Sequence, residues 1–444
     1  MTYAAAVLIY FLAMADGGLR AGITTDDIYN LSAHCNQTAG AILKSIVLYF
    51  SPAYRPLGSL FYCPIFGLFG LNPAPYRAIC FFLLAVNIGI MACFVRVVTQ
   101  SSGVMLTATL IGCFHPRFVE LYWNTGTIYE ILCCGFFYGA LWCYVRLRRS
   151  EARVPLWQWV VVLALYLAAL DAKEMAVAIP LLMLAYEAIY MAGGLRASLR
   201  RWYPALTATL MAIPYVIGKM SAASPLAQFE RYRPELSFER LVSTAGTYFG
   251  NLFYTRPWPP PAVASAVGGA LLLAALLRSR HMLFAWCIAV ISYMPIAFIV
   301  PRTAFVLYIP FLGVAMYVAL VIHRITAIGR GSEPLRQAII FAVLLILLLR
   351  AHRVQRHRMY GGLIYRQPAI RSILSELDRV KPQIPRGARI LFLNDPLRQG
   401  DGIAVLLMRL YFRDQELEVT HEFERERPYD VIFNWQNGDL HVRR

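Results

Sequence analysis

Two adjacent carboxylates, Asp26 and Asp27, follow the first apolar run of the chain, within the stretch Gly22-Ile23-Thr24-Thr25-Asp26-Asp27-Ile28-Tyr29. A carboxylate can take the proton from an attacking hydroxyl, so each member of this aspartate pair is a candidate general base. Neighbouring aspartates more often belong to a solvated polar loop, which is the alternative interpretation. The two side chains leave the backbone in different directions, so we predict that their roles are unequal.

Ionisable residues also stand at the ends of later apolar runs. Asp171, Lys173 and Glu174 occupy one short connection, and Arg302 occupies another. A charged residue at such a position usually marks only the membrane boundary. Acids and bases that reach one membrane face are nevertheless candidates for a functional site. We therefore expect these residues to converge with the aspartate pair.

Composition places these residues in a polytopic membrane protein. The chain has 444 residues, of which 59% are hydrophobic and only 15% are charged, with a mean hydropathy of +0.53. These values exclude an ordinary soluble domain. Helices must carry the apolar windows, because lipid offers no partner for open backbone, and roughly 11 spans are predicted. The windows lie at 3–15, 76–99, 103–115, 126–145, 155–170, 174–193, 203–220, 260–278, 282–300, 303–323 and 337–351. The first is short for a span, and a signal peptide is its alternative.

Basic residues fall in every second connection between these windows, which the positive-inside rule assigns to the cytoplasm. They are Arg96, Arg146, Arg148, Arg149, Arg153, Arg196, Arg200, Arg201, Arg278, Arg280, Arg324, Arg330 and Arg336. The segments predicted to be extracytoplasmic are therefore 16–75, 116–125, 171–173, 221–259, 301–302 and the C-terminal tail. A basic cluster at 350–358 opposes this placement of the tail. The net charge of +17 reflects this bias and favours lipid contact over nucleic-acid binding.

The long outer loop 16–75 and the loop 221–259 are the main segments between spans. Prolines and short amphipathic pieces in the first loop predict helices lying on the membrane face. The second loop is interpreted as an amphipathic surface helix and a candidate acceptor gate. Of the nine cysteines, only Cys35 and Cys63 share an outer loop, where a disulfide is one possibility.

The composition changes after the last apolar window. The residue pattern predicts short strands at 389–396, 417–419 and 429–433, and a helix at 402–411. We therefore divide the chain into a transmembrane domain at 1–355 and a small soluble α/β domain at 360–444, placed on the extracytoplasmic side.

Several short stretches together resemble the membrane glycosyltransferases of the GT-C fold. They are the aspartate pair, Tyr54-Arg55-Pro56-Leu57, Leu71-Asn72-Pro73-Ala74-Pro75-Tyr76-Arg77, Lys173-Glu174, and Arg302 before Leu307-Tyr308-Ile309-Pro310. The likeness covers roughly residues 1–323 and is greatest to the protein O-mannosyltransferase superfamily and the tetratricopeptide-linked O-mannosyltransferases. Two features depart from that pattern: Arg302 stands further from Tyr308, and no tetratricopeptide array follows.

The resemblance implies a polyprenyl-phosphate sugar donor, possibly of mannose, and inverting transfer to an acceptor hydroxyl. Asp26 or Asp27 would be the base, with Asp26 favoured. Cations at Lys173 and Arg302, and a hydrogen bond from His115, would hold the donor phosphate. Residues expected to position donor or acceptor are Tyr54, Arg55, Glu174 and Asp171. Nothing in the sequence requires a metal or another cofactor, although a divalent metal is not excluded.

The resemblance does not decide the identity of the sugar, the chemical class of the acceptor or the functional class of the protein. The acceptor is a protein, a glycan or a lipid, and the expected location is a bacterial inner membrane with the site facing the periplasm or exterior. A transporter or flippase of lipid-linked sugars is the main rival, although no internal repeat is visible. A non-catalytic membrane scaffold is the second. Loss of the base should lower turnover by about 10²-fold, whereas Asp27→Asn should act less and mainly on acceptor binding.

Overall fold

The computed structural model is predominantly helical. It describes residues 8, 11–12, 15, 18–150, 155–191, 195–221, 233–328, 332, 335, 338–350, 353–354, 368–380, 382–397, 402–423 and 428–443. Most of the apolar window at 3–15 lies outside this part of the chain, as do residues 222–232 of the second long loop.

Between residues 21 and 72, three short helices precede the first long one. They are α1 (Thr25–Cys35), α2 (Ala39–Val47) and α3 (Leu57–Phe69). Side chains cap the N-termini of α1 and α2. The Thr24 side chain accepts a hydrogen bond from the Asp27 amide, and the Thr38 side chain accepts one from the Ala41 amide. None of the three has the length of about 20 residues that a bilayer crossing requires.

The helical body follows. Its helices are α4 (Pro73–Thr99), α5 (Ser102–Cys113), α6 (Glu120–Trp123), α7 (Ile128–Arg149), α8 (Leu156–Ala172), α9 (Ile179–Tyr190), α10 (Leu195–Met220), α11 (Phe238–Phe253), α12 (Pro260–Leu276), α13 (Arg280–Ala297) and α14 (Tyr308–Ile328), then α15 (Ala338–Arg350). Among the described residues, four segments are long and apolar enough to cross a membrane: Pro73–Thr99, Thr125–Arg149, Arg280–Ala297 and Ala304–Ala327. The chain is thus a multi-pass membrane protein.

Buried polar contacts fix the packing of these helices. Asn87 of α4 donates to the Ile131 carbonyl of α7 at 2.8 Å, and the Tyr138 hydroxyl of α7 donates to the Ile309 carbonyl of α14 at 2.6 Å. Gly313 allows α14 to approach α13 closely, because a Cβ atom there would lie 2.4 Å from the Ala289 nitrogen. The core is otherwise apolar and tyrosine-rich.

The C-terminal domain is a small α/β unit. Helices α16 (Pro368–Val380) and α17 (Ile403–Phe412) accompany strands β1 (Arg389–Leu393), β2 (Glu418–Thr420), β3 (Val431–Gln436) and β4 (Asp439–Arg443). The strand order is β2-β1-β3-β4. Strand β1 pairs parallel with β2 and β3, and β4 pairs antiparallel with β3.

The C-terminal domain packs directly on the first helices. Helix α17 contacts α1, Asn36 donates to the Gln415 side chain at 3.1 Å, and Arg413 reaches the Phe66 and Gly67 carbonyls at 3.4 Å. The domain therefore lies on the side of the helical body that carries the aspartate pair, here called the Asp26 face.

Most of the predicted elements are confirmed. Each apolar window from residue 76 onward coincides with a helix, the predicted strands and the helix near 402–411 are present, and the second long loop contains α11. Helix α16 and strand β4 were not predicted from the sequence.

Candidate functional site

The site begins where α1 begins. The Thr24 side chain accepts from the Asp27 amide at 3.2 Å, and the Asp27 carboxylate accepts from the Thr24 amide at 2.9 Å. This reciprocal capping box satisfies two amides that the first turn of a helix leaves without partners. The Asp27 carboxylate therefore caps the N-terminus of α1.

Asp27 is also part of a buried ion pair. Its Oδ2 lies 3.6 Å from Nη2 of Arg77, and both side chains are at most 2% exposed. Arg77 donates to the Gly22 carbonyl at 3.1 Å as well, so it ties the first turn of α4 to the segment before α1. Burial raises the pKa of Asp27, while Arg77 and Thr24 act in the opposite direction. Asp27 thus joins α1 to the helical body.

Asp26 has the opposite environment. It is exposed, and its Oδ2 accepts a hydrogen bond from the Asn124 amide at 3.0 Å. Asn124 is fixed in turn, because its Oδ1 accepts from the Gly126 backbone at 2.9 Å. A Cβ atom at Gly126 would lie only 2.6 Å from the Asp26 Cβ. A solvent-facing carboxylate is therefore held in place by a neutral donor and a closely packed turn.

A second group of hydrogen bonds, further along α1, joins this helix to α3 and α7. Asn30 donates to the Tyr62 hydroxyl at 3.2 Å and accepts from the Tyr129 hydroxyl at 2.8 Å. The Tyr129 hydroxyl is also hydrogen-bonded to Nε2 of His34 at 2.7 Å, and the Ser59 hydroxyl is hydrogen-bonded to Nδ1 of the same histidine at 3.0 Å. Burial, followed by the charge of Arg55, lowers the pKa of His34 to about 4. The imidazole is therefore neutral at pH 7.

Arg55 stands at the other side of Tyr129, with its guanidinium carbon 5.0 Å from the Tyr129 ring centre. It binds Glu174 through Nε at 3.2 Å and Nη2 at 2.8 Å, and donates from Nη1 to the Tyr54 hydroxyl at 2.9 Å. Burial opposes ionisation of Glu174, but the charge and hydrogen bonds of Arg55 prevail and lower its pKa to about 2. The backbone of Arg55 has a φ of 42°, a strained conformation for this residue.

Further charges surround this pair. Lys173 forms a buried ion pair with Glu130. Lys219 donates to the Ala53 carbonyl and lies within electrostatic range of Asp171 and Glu174. Arg55, Lys173 and Lys219 thus face Glu130, Asp171 and Glu174, a set called here the charge cluster. Its acids and bases balance.

His115 and Arg302 lie in a different group, around the end of α11. His115 contacts the Leu252 carbonyl at 3.2 Å and stacks on Tyr254 with ring centres 5.7 Å apart. The Arg302 amide donates to the Tyr248 hydroxyl at 3.0 Å. The structure therefore brings Asp171, Lys173 and Glu174 together with Arg55, but puts His115 and Arg302 elsewhere.

Two cavities accompany these groups. One of about 500 Å³ opens beside α1 and is lined by Ala33, His34, Gln37, Ala41, Lys44, Ser45, Leu48, Ser51, Pro52, Ala53 and Tyr54. The other, of about 320 Å³, is largely apolar and is lined by Leu110, Ile111, Phe114, His115, Pro116, Leu252, Phe253, Tyr254, Leu344, Leu347, Leu348, Arg350 and Val354. Within the described ranges, no group of three His, Cys, Asp or Glu side chains could hold a metal ion.

Comparison with known proteins gives information about the fold of this chain. The sequence matches no protein-family model, and no curated protein matches it. Among solved structures, the chain is similar to ArnT from Cupriavidus metallidurans bound to undecaprenyl phosphate, with a TM-score of 0.53 and 16% identity over 97% of this chain and 92% of that one. The apo structure of ArnT gives a TM-score of 0.49 and 15% identity over 95% and 85% of the two chains.

The fold is GT-C. At this identity the similarity to the lipid-bound ArnT structure establishes the architecture and nothing finer. It confirms the fold class expected from the sequence, a helical GT-C membrane domain with a small C-terminal α/β unit.

Several residues of the candidate site were not singled out from the sequence. They are Asn124, Glu130, Arg77, Tyr129 and Lys219, none of which was assigned to the site. Arg77 carried a readable signal, since an arginine in an apolar helix must find a partner. The partners of the other four lie far away in sequence, so local patterns contain no trace of them.

Proposed function

We propose that this chain is a membrane glycosyltransferase that moves a sugar from a polyprenyl-phosphate donor to an acceptor hydroxyl, with Asp26 as general base. The observation that carries the proposal is the unequal burial of the aspartate pair. The Asp26 carboxylate is exposed and accepts a hydrogen bond from the neutral Asn124 side chain. The Asp27 carboxylate, in contrast, is buried, caps the N-terminus of α1 and pairs with Arg77. A base must reach its substrate, and only Asp26 meets that requirement.

In the proposed reaction, the acceptor hydroxyl gives its proton to Asp26 while its oxygen attacks the anomeric carbon. The new carbon–oxygen bond forms on the face opposite the departing group, so the configuration inverts. The bond from the anomeric carbon to the phosphate oxygen breaks, and its electron pair remains on polyprenyl phosphate. Asn124 would keep the Asp26 carboxylate directed at the acceptor, and Asp27 would act only by positioning α1.

The charge cluster is the proposed place for the donor phosphate. Arg55 and Lys173 offer the planar and point-like cations that bind phosphate oxygens. Arg55 is linked to the middle of α1 through Tyr129 and Asn30, about one turn from Asp26, which favours it as a phosphate contact. Glu174 would hold the guanidinium in place until the phosphate arrives. The bound undecaprenyl phosphate of the similar ArnT structure supports a polyprenyl-phosphate partner.

The two cavities suggest where the rest of each substrate would lie. The cavity beside α1 has a mostly apolar wall that includes His34, Gln37, Lys44 and Tyr54, and it has the size of an ordinary small-molecule site, which suits a sugar or its acceptor. The apolar cavity, with His115 in its wall, suits prenyl units. Arg302, on a nearby turn, remains a proposed second cation for the donor.

The sugar and acceptor are proposed from the resemblance alone. It favours mannose, used on the extracytoplasmic face of a bacterial inner membrane, and leaves the acceptor open among a protein Ser or Thr, a glycan and a lipid head group. A glycan or lipid acceptor would use the same base and the same phosphate contacts.

The test is a transfer assay with the full-length protein reconstituted in liposomes. Polyprenyl-phosphate sugars carrying different labelled hexoses are supplied with peptide, glycan or lipid acceptors, and both labelled product and free polyprenyl phosphate are measured. We expect equal amounts of the two, formed from one donor. Movement of intact donor between the leaflets, without cleavage, would instead support a flippase, and the absence of both activities with every donor would support a scaffold.

A further inference from the structure

The peptide group between Thr125 and Gly126 belongs to the turn that holds Asp26, and it is hydrogen-bonded at both ends. Its carbonyl accepts from the Tyr62 hydroxyl at 3.1 Å, and its N–H donates to Oδ1 of Asn124 at 2.9 Å. The Asn124 side chain in turn donates from Nδ2 to the Asp26 carboxylate at 3.0 Å. One peptide group and one side-chain amide therefore join the Tyr62 hydroxyl to the proposed base.

The hydrogen bonds on the other side of Tyr62 can have only one direction. Because the Thr125 carbonyl can only accept, the Tyr62 hydroxyl uses its one hydrogen there and accepts from Nδ2 of Asn30 at 3.2 Å. Oδ1 of Asn30 then accepts from the Tyr129 hydroxyl at 2.8 Å. Tyr129 has thereby used its hydrogen as well, so it accepts from Nε2 of His34 at 2.7 Å. The donors of this set all point towards the turn; we call it the Tyr62 network, and its members are Asn30, His34, Tyr62 and Tyr129.

The Tyr62 network is largely buried and tightly packed. Three of its members and the carbonyl residue that it binds are at most 2% exposed: His34, Tyr62, Tyr129 and Thr125. Gly58 of α3 makes the close approach possible, because a Cβ atom there would lie 2.6 Å from the Tyr129 ring and 2.7 Å from Nε2 of His34. A buried polar group that loses its partner has no water to replace it. Each member of the network is therefore held in the one position that makes all of its hydrogen bonds.

We propose that Tyr62 is a positioning residue for Asp26 and acts through the turn between them. An exposed carboxylate can rotate in water unless a fixed donor selects one orientation. Asn124 can be that donor only while its Oδ1 is bound elsewhere, because the same oxygen turned towards Asp26 would repel the carboxylate. The Gly126 N–H binds this oxygen, and Tyr62 holds the peptide group that carries the N–H.

The contribution of Tyr62 is partial, because Oδ1 of Asn124 has a second partner. The Thr24 hydroxyl also donates to this oxygen, at 3.3 Å. That longer hydrogen bond comes from the N-cap of α1, and it does not depend on Tyr62. Loss of the Tyr62 hydroxyl should therefore slow sugar transfer without abolishing it.

The inference rests on the proposed function, in which Asp26 is the general base. Its test compares the full-length wild type in liposomes with Tyr62→Phe, which removes only the hydroxyl. The labelled polyprenyl-phosphate hexose that the wild type uses is prebound, and acceptor is added. The rate of a single turnover should be about 10-fold lower in Tyr62→Phe, because a misplacement of about 1 Å can cost about 10²-fold, and the affinity for the donor should be unchanged. A wild-type rate for Tyr62→Phe would overturn the proposal.

Tyr76→Phe is the matched control. Tyr76 is also buried, its ring centre lies 6.2 Å from that of Tyr62, and its hydroxyl also donates to a carbonyl, that of Gly70, at 2.8 Å. Gly70 lies at the end of α3 and not in the turn that holds Asp26. Both variants should lower the thermal midpoint by a similar amount, since each loses one buried hydrogen bond, but only Tyr62→Phe should slow transfer. An equal loss of rate in both would identify general loosening as the cause and overturn the proposal.

Tyr62→Phe in the Asp26→Asn background separates this proposal from the proposed function. If Tyr62 acts by positioning the base, its hydroxyl has nothing to position once the base is gone, so the double variant should transfer sugar at the rate of Asp26→Asn. A further loss of about 10-fold in the double variant, or a slow Asp26→Asn beside a wild-type rate in Tyr62→Phe, rejects the positioning role and leaves the function standing. A wild-type rate for Asp26→Asn, or no transfer by the wild type, rejects both.

Discussion

The buried pair of Asp27 and Arg77 offers the sharpest test of how the site is held. The two charged groups are 3.6 Å apart, and neither side chain is more than 2% exposed. At an effective dielectric constant of about 20, unit charges at that separation attract by about 5 kcal/mol. Much of this is offset by the cost of removing both groups from water. The net value of the pair is therefore small, but each charge needs the other.

Single and double substitutions should consequently behave differently. Asp27→Asn leaves the guanidinium without its counter-charge, and Arg77→Met leaves the carboxylate without its own, so each should lower the free energy of unfolding by about 3–5 kcal/mol. The double variant removes both charges and keeps a capping acceptor at residue 27. We expect it to cost about 1 kcal/mol, on the scale of a weakened cap.

The measurement is the thermal midpoint of each purified variant in detergent, read by the loss of monodisperse protein. Asp26→Asn is the matched control, since exposed substitutions usually change stability by less than about 0.5 kcal/mol. A double variant more stable than either single variant supports the buried pair. A double variant whose loss equals the sum of the two single losses would show that the two charges do not stabilise each other.

Three further predictions concern neighbouring contacts. Gly126→Ala should lower turnover but spare donor binding, because its Cβ would lie 2.6 Å from the Asp26 Cβ; steady-state kinetics would show it, and an unchanged turnover would contradict the tight fit. The pKa of Glu174, lowered to about 2, means that its ion pair stabilises the fold above the unfolded pKa of about 4.3 and loses this effect as the pH falls towards 2. The midpoint deficit of Glu174→Gln should therefore be constant between pH 8 and about 5 and shrink below; a deficit that shrinks near pH 6 would be inconsistent. Arg413→Ala should loosen the C-terminal domain from α3, measured as faster proteolysis of that domain with intact transfer activity; unchanged proteolysis would show that this contact does not hold the domain.

The sequence predicted the helical body well because lipid imposes a simple rule. Every span must be apolar and must satisfy its own backbone, so hydropathy alone locates helices such as α4 and α14. The C-terminal domain was harder to predict. Strand β4 alternates Leu440 and Val442 with polar residues, but the alternation covers only five residues and is too short to distinguish a strand from a loop.

The candidate site could be predicted only in part. The carboxylates of the aspartate pair stood out by their position in the sequence. The difference between their roles, however, depends on Arg77, which is 50 residues away from Asp27 and pairs with it only after folding. The Arg55–Glu174 pair joins residues separated by 119 positions. Local patterns report caps and periodicity, whereas such pairs are decided by which helices pack together.

The proposed function requires that Asp26 removes the acceptor proton. It is tested most directly by the rate of sugar transfer in a single turnover, with donor prebound and acceptor added, for the wild type, Asp26→Asn and the exposed-surface control Asp439→Asn. For Asp26→Asn we predict a rate lower by about 10²-fold or more, with thermal midpoint and donor affinity unchanged, and a wild-type rate for the control. Transfer by Asp26→Asn at a rate near that of the wild type would remove Asp26 from the mechanism.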